Sequence, residues 1–218
     1  MGVAVDPQGN LYLSLAALSN QLVKVAPSGN VLAQAVVPAF GYLAWWPSRN
    51  LLLLVSTSGT LYTVDPGTLA ASALLDLRTF PVSTQAIYDV QLGDVSSFSG
   101  AILPQTSLYG DIAVLERTDR TVFFISGVNQ GRTHTFVLRL QIAGNTGSAD
   151  VVVSSRAVLT QPPPGLPSSN HQAAGIAVNG QGTVLASIPQ DGTFRLVAFS
   201  TDFAPAAGVG PANRPRVV

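Results

Sequence analysis

The chain repeats itself, and a repeat limits the available folds more than any composition does. Four stretches line up. Gly2-Val3-Ala4-Val5 runs into the turn Asp6-Pro7-Gln8-Gly9-Asn10 and then into Leu11-Tyr12-Leu13-Ser14. Tyr42-Leu43-Ala44-Trp45-Trp46, a turn around Pro47-Ser48-Arg49-Asn50, and Leu51 to Ser56 make the second unit. The third is Asp111-Ile112-Ala113-Val114, a turn from Glu116 to Arg120, and Thr121 to Ser126. The fourth is Gly175-Ile176-Ala177-Val178, Asn179-Gly180-Gln181-Gly182, and Thr183 to Ser187. Each unit is a short apolar strand, a polar turn, and a second apolar strand ending in serine. The turns carry hairpin chemistry, with proline fixing φ at the start and glycine supplying positive φ.

A third strand follows each hairpin: Gln21 to Val25, Thr60 to Val64, Thr135 to Leu140 and Thr193 to Phe199. A fourth, outer strand is read at Val31 to Val37, with counterparts at Ala71 to Leu77 and Ala149 to Ser154. Pro27-Ser28-Gly29-Asn30 and Asp65-Pro66-Gly67-Thr68 are the turns that set two of these boundaries. Glycine, proline, serine and threonine interrupt every stretch before a helical stripe can build.

Strand, turn, strand, loop, strand, turn, strand is a β-propeller blade. The expected fold is therefore all-β, a propeller of four-stranded antiparallel blades covering residues 1–203. Four blades are legible, and residues 81–108 hold either a fifth or a long insertion. A small ring, part of a longer ring, and an open array of sheets all remain compatible with the repeat. The wording Gly-Val-Ala-Val-Asp-Pro-x-Gly-Asn-Leu-Tyr followed by Leu-Val-Lys-Val-x-Pro-x-Gly, over residues 2–37, resembles NHL-type propellers. It is also similar to gluconolactonase- and streptogramin-lyase-like propellers. Residues 42–77 and 174–199 carry the same style more loosely. Outside the blades, Gln161 to Pro167 reads as an extended proline-rich loop, and 204–218 as an Ala/Gly/Pro-rich tail in which Arg216-Val217-Val218 completes the last blade.

Hydrophobic residues make up 47% of the 218 and charged residues only 10%. Such a chain can cover its sheets on both faces, and its weakly charged surface favours association. Eleven basic and eleven acidic residues cancel, which argues against a nucleic-acid footprint. Cysteine is absent, so thiol catalysis and disulfides are excluded, while the compartment is left open. An extracellular or periplasmic setting is expected. Met1 to Pro7 lacks the pattern of a signal peptide, and the run Leu51 to Val55 is too short to cross a bilayer.

In such a fold, ligands bind where the loops entering each innermost strand meet those joining second and third strands. The repeat puts Tyr42, Tyr109, Asp111, His171, Ser14, Asn20, Ser56, Thr57, His134 and Asp191 on that face. His134, His171 and Asp111 are the candidates for acid–base catalysis. Tyr42, Tyr109, Asn20 and Asp191 are candidate ligand-binding residues. Asp89 and Asp94, with Asp111, are the candidate set for a calcium ion, the alternative to no cofactor at all.

The resemblance to lactonase-like propellers implies acidic or amide metal ligands at the channel mouth. This chain has Ser14, Ser56, Ser126 and Ser187 after its second strands, and hydroxyls are poor ligands for a hard dication. Its single glutamate, Glu116, falls in a turn on the far face. No nucleophile elbow, His-Glu-x-x-His, phosphate-cradling loop or glycosylation acceptor occurs. Trp45-Trp46 on one strand must point to opposite sides, so at least one ring packs between blades and the other is available for stacking. The leading expectation is a non-catalytic propeller that binds a small ligand or a protein at one face. A metal- or histidine-dependent hydrolase or lyase is the alternative. A fragment completed by self-association is the third reading.

Overall fold

The computed structural model describes residues 2–16, 19–78, 82–89, 96–97, 108–128, 134–143, 146–156, 175–190, 193–200 and 216–217. Blade 1 is β1 (Gly2–Val5), β2 (Leu11–Ala16), β3 (Asn20–Val25) and β4 (Val31–Val36), paired in that order. Blade 2 is β5 (Gly41–Trp46), β6 (Leu51–Ser56), β7 (Thr60–Val64) and β8 (Ala71–Asp76). Next come β9 (Val82–Asp89) and β10 (Ser96–Ser97), then blade 3 with β11 (Leu108–Glu116), β12 (Thr121–Val128), β13 (His134–Ala143) and β14 (Thr146–Arg156). Blade 4 is β15 (Gly175–Val178), β16 (Thr183–Gln190), β17 (Thr193–Ser200) and β18 (Arg216–Val217). Each blade is an antiparallel meander with neighbours in chain order, as the repeat predicts.

The turns form for local reasons. The Asp6 carboxylate accepts hydrogen bonds from the backbone N–H of Gln8 and Asn10, and Gly9 takes φ +81° to close the hairpin. Asn179 does the same at the equivalent place, accepting from Gln181 and Thr183. In blade 2, a single 3-10 turn at Pro47–Arg49 replaces that motif, ending on left-handed Asn50.

Residues 81–108 do not add a fifth blade among the described residues. β9 runs parallel to β14, pairing Val151 with Ala86 and Val153 with Tyr88, and β10 pairs with β9. The outer edge of blade 3 is thereby extended to a six-stranded sheet. An outer edge exposes unpaired backbone groups, and a passing extended segment satisfies them. Arg216 and Val217 pair with Ala198 and Val197 and give blade 4 its fourth strand.

The blades stack through three apolar layers. Ala4, Tyr12 and Leu22 of blade 1 meet Leu43, Leu52, Leu54 and Val64 of blade 2. Trp46, Leu53, Val55 and Leu61 of blade 2 meet Ile112, Phe123, Ile125 and Leu138 of blade 3. Ala113, Leu115, Phe124 and Val137 of blade 3 meet Ile176, Val184, Ala186, Val197 and Phe199 of blade 4. The four innermost strands lie in a row, β1 beside β5, β5 beside β11, and β11 beside β15.

Strand registers put Ala4, Ala44, Ala113 and Ala177 at one repeat position, facing the following blade. Their cross-strand partners are Tyr12, Leu53, Phe124 and Leu185. Small residues thus sit where inner strands crowd together, and large ones where the blades splay apart. Both tryptophans are used between blades: Trp45 stacks on Tyr12 of blade 1 with centroids 6.4 Å apart, and Trp46 meets Phe123 of blade 3 edge-on at 5.2 Å.

Candidate functional site

The start of each inner strand, the end of each second strand and the start of each third strand lie at one end of the stack. Two hydrogen bonds between blades fix this level. Ser14 Oγ, near the end of β2, accepts the backbone N–H of Gly41 at the start of β5, at 3.0 Å. Asp111 Oδ2, in β11, accepts the N–H of Ile176 at the start of β15, at 2.9 Å.

Asp111 is the central acid of the candidate site, and it is described in full. Its Oδ1 accepts the N–H of Ile112 at 2.9 Å, so each carboxylate oxygen holds a backbone donor. Burial pushes its pKa above the usual aspartate value, and the two backbone bonds pull it back without cancelling the rise. Each oxygen accepts one backbone N–H and keeps a second lone pair, so the carboxyl can hold a proton while both bonds persist. The arrangement suits a carboxylate that ties one blade to the next.

The serines do related work. Ser14, Ser56 and Ser126 are all buried. Ser126 donates to the Asp111 carbonyl at 3.5 Å. Ser56 behaves differently, accepting the N–H of Thr60 in its own hairpin at 2.9 Å. Register explains this: Ser14, Ser126 and Ser187 are equivalent, but Val55 takes that position in blade 2 and Ser56 lies one residue beyond.

Of the candidate ligand-binding residues, Tyr42 is half-buried and packs against the layer between blades 2 and 3. Asn20 opens β3 and donates from Nδ2 to the Pro38 carbonyl at 3.4 Å. Tyr109 lies in β11, next to a register shift between Tyr109 and Ile112. Its side chain, like that of His134 at the start of β13, lies outside the described residues. His171, Asp191 and Asp94 lie outside them altogether, and Asp89 is placed only as the last residue of β9, paired with Ser154. Among the described residues, no three acidic or histidine side chains come together.

The far end is clasped as well. Glu116 accepts the Ser48 N–H with Oε1 and Oε2 at 3.0 and 3.2 Å, joining the tip of blade 2 to blade 3. Lys24 reaches the Pro66 carbonyl of blade 2 at 3.1 Å and lies over the Tyr12 ring. The Tyr12 hydroxyl donates to Asp6 at 3.0 Å, and burial raises its pKa well above the phenol range. The Glu116–Ser48 and Lys24–Pro66 clasps escaped sequence reading because each joins residues of different units. The aligned alanines were the signal available in the sequence.

No protein-family model matches the chain, and no curated protein matches it. Solved structures similar to it include the WD40 domain of SCAP from fission yeast, at 12% identity and TM-score 0.38. BamB from Moraxella catarrhalis is similar at 13% identity and TM-score 0.41. Each match covers 92% of this chain, against 44% and 49% of those two structures, so the chain spans about half their length. The β-propeller domain of Cps50 (Swd1) from Myceliophteria thermophila matches over all of this chain and 72% of its own, at 7% identity and TM-score 0.42. No helix among the described residues is long and apolar enough to cross a membrane.

Proposed function

We propose that this chain is a non-catalytic propeller module, with blades of NHL-like style, that binds a small ligand or a protein partner. What supports the reading is the use made of Asp111. The candidate acid Asp111 accepts a backbone N–H at each oxygen, from Ile112 and from Ile176. Ser14 spends its hydroxyl oxygen on Gly41 in the same way. Asp111 and Ser14 tie neighbouring blades together, and recognition is assigned to the residues that the repeat alone puts at this end, Tyr42, Asn20, Tyr109 and Asp191. An extracellular or periplasmic setting and the absence of a metal cofactor belong to the same proposal.

The test is a thermal melt with calcium and with chelator, on the native chain and on Asp111→Asn. A ligand bound only by the folded chain at about a hundred times its dissociation constant adds roughly 2.7 kcal/mol, a shift easily seen. The proposal predicts superimposable melts with calcium and with chelator, and an Asp111→Asn melt lowered equally in both. A chelator-sensitive melt that Asp111→Asn abolishes would overturn it in favour of a metal-dependent site.

A further inference from the structure

Among the described residues, the stack of blades is open at both ends. The side of each blade that faces the preceding one carries Val3, Leu43, Ile112 or Ile176 at one repeat position. Leu43, Ile112 and Ile176 are at most 9% exposed, but Val3 is 46% exposed. Cross-strand register places Val5, Leu11, Val31 and Val36 on the same side of blade 1, and all four are exposed. The side facing the following blade carries Leu22, Leu61, Val137 or Leu196. The first three are fully buried, while Leu196 is 41% exposed beside exposed Leu185 and Ala177. Two apolar faces of this kind exceed what isolated surface residues explain.

The two open faces are the two halves of one interface that the molecule already builds three times. The seat on blade 4 is formed by Ala177, Leu185 and Leu196, the counterparts of Ala4, Tyr12 and Leu22 in blade 1.

We infer that this seat is taken by blade 1 of a second copy, and that the same contact in reverse closes a two-fold ring of eight blades. Eight lies within the range of propeller rings. A head-to-tail contact that closes gives a finite assembly, and one that does not close gives an open series. The interface is continuous with the existing ones: Ala177, Leu185 and Leu196 take the places of Ala4, Tyr12 and Leu22, and Val3, Val5 and Leu11 take those of Leu43, Trp45 and Leu52.

Sedimentation equilibrium over a range of concentrations tests this, with Val3→Glu and Leu196→Glu as interface variants. Both positions are exposed, so each variant folds as the native chain does. The native chain is expected at twice its 22.6 kDa. Either variant alone should associate about a hundredfold more weakly, because a carboxylate is then buried at each contact. Mixing the two variants should give a one-to-one pair held by the single contact whose two faces are both intact, tighter than either variant alone and weaker than the native pair, since the second contact then brings both carboxylates together. Native chain that stays at 22.6 kDa throughout would overturn the inference and assign the faces to further blades or another partner. An open series of growing mass would overturn the ring, and a dimer indifferent to both substitutions would place the contact elsewhere.

Discussion

Blade 2 and blade 1 have nearly the same architecture and quite different surroundings. Blade 2 is covered on both sides, by Tyr12 and Leu22 from blade 1 and by Phe123 and Ile125 from blade 3. Among the described residues, blade 1 is covered on one side only, and Val3, Val5 and Leu11 face outward from the other. A four-stranded sheet with two apolar faces is half-finished until something packs on each of them. The difference teaches that the unit of stability here is the contact between blades rather than the blade.

Equivalent positions in the two settings turn that lesson into experiments. Phe123 and Leu11 occupy the same place in their blades. Phe123→Ala should cost about 3–5 kcal/mol in chemical unfolding, because it opens a cavity between blades 2 and 3. Leu11→Ala, measured in dilute solution, should cost under about 1 kcal/mol. Equal losses would dissolve the distinction between covered and open faces.

The serines offer a smaller contrast. Ser14→Ala strands the Gly41 N–H in a buried contact and should cost about 1–3 kcal/mol. Ser187→Ala, at the equivalent place on the open face, should fall within roughly 0.5 kcal/mol of the native chain. If Ser187→Ala destabilises dilute protein as much as Ser14→Ala, then an unseen donor already meets it.

The smallest effect is in pH, where two aspartates act in opposite directions. Burial alone would raise the Asp6 carboxyl. Hydrogen bonds from Asn10, Tyr12 and Gln8 outweigh it and hold the pKa below the usual value. Its contribution is therefore complete above the ordinary carboxylate range and is lost as pH falls through its depressed pKa. Asp111 is raised by burial, so its folded form binds a proton more tightly than the unfolded chain does. It favours folding at low pH and loses that advantage as pH rises through the raised value. Asp6→Asn should flatten the fall in melting temperature below about pH 4, and Asp111→Asn should steepen the pH dependence just above it, between the ordinary aspartate value and the raised one. The opposite pairing would reverse the roles given to these two acids.

Much of this organisation was legible in the sequence. Asp6-Pro7-Gln8-Gly9-Asn10 and Asn179-Gly180-Gln181-Gly182 announce hairpins because their bonds are local, within four residues. Arg216-Val217 is recognisable as an outer strand, since blade 4 otherwise has only three. The parallel docking of β9 on β14 was not legible, because it joins residues about sixty-five apart with no periodic mark. The site was read less well. Asp111, named as an acid catalyst or metal ligand, has its bonding partner in another blade, at Ile176. Ser56 looks equivalent to Ser14 by spacing, and only strand register reveals the slip of one residue. His134 and His171, the histidines named for acid–base catalysis, have side chains outside the described residues.

The most direct test compares Leu22→Ala with Leu196→Ala by thermal melting across a wide range of protein concentration. Leu22 is fully buried and Leu196 is 41% exposed at the same repeat position. Leu22→Ala should lower the melt at every concentration, by the equivalent of about 2–5 kcal/mol. Leu196→Ala should match the native melt in dilute solution and fall behind it only as concentration rises, where the second copy stabilises the native chain by mass action. A loss at Leu196 as large as that at Leu22 in the most dilute sample would contradict the account, because the open face would then be covered within the chain itself.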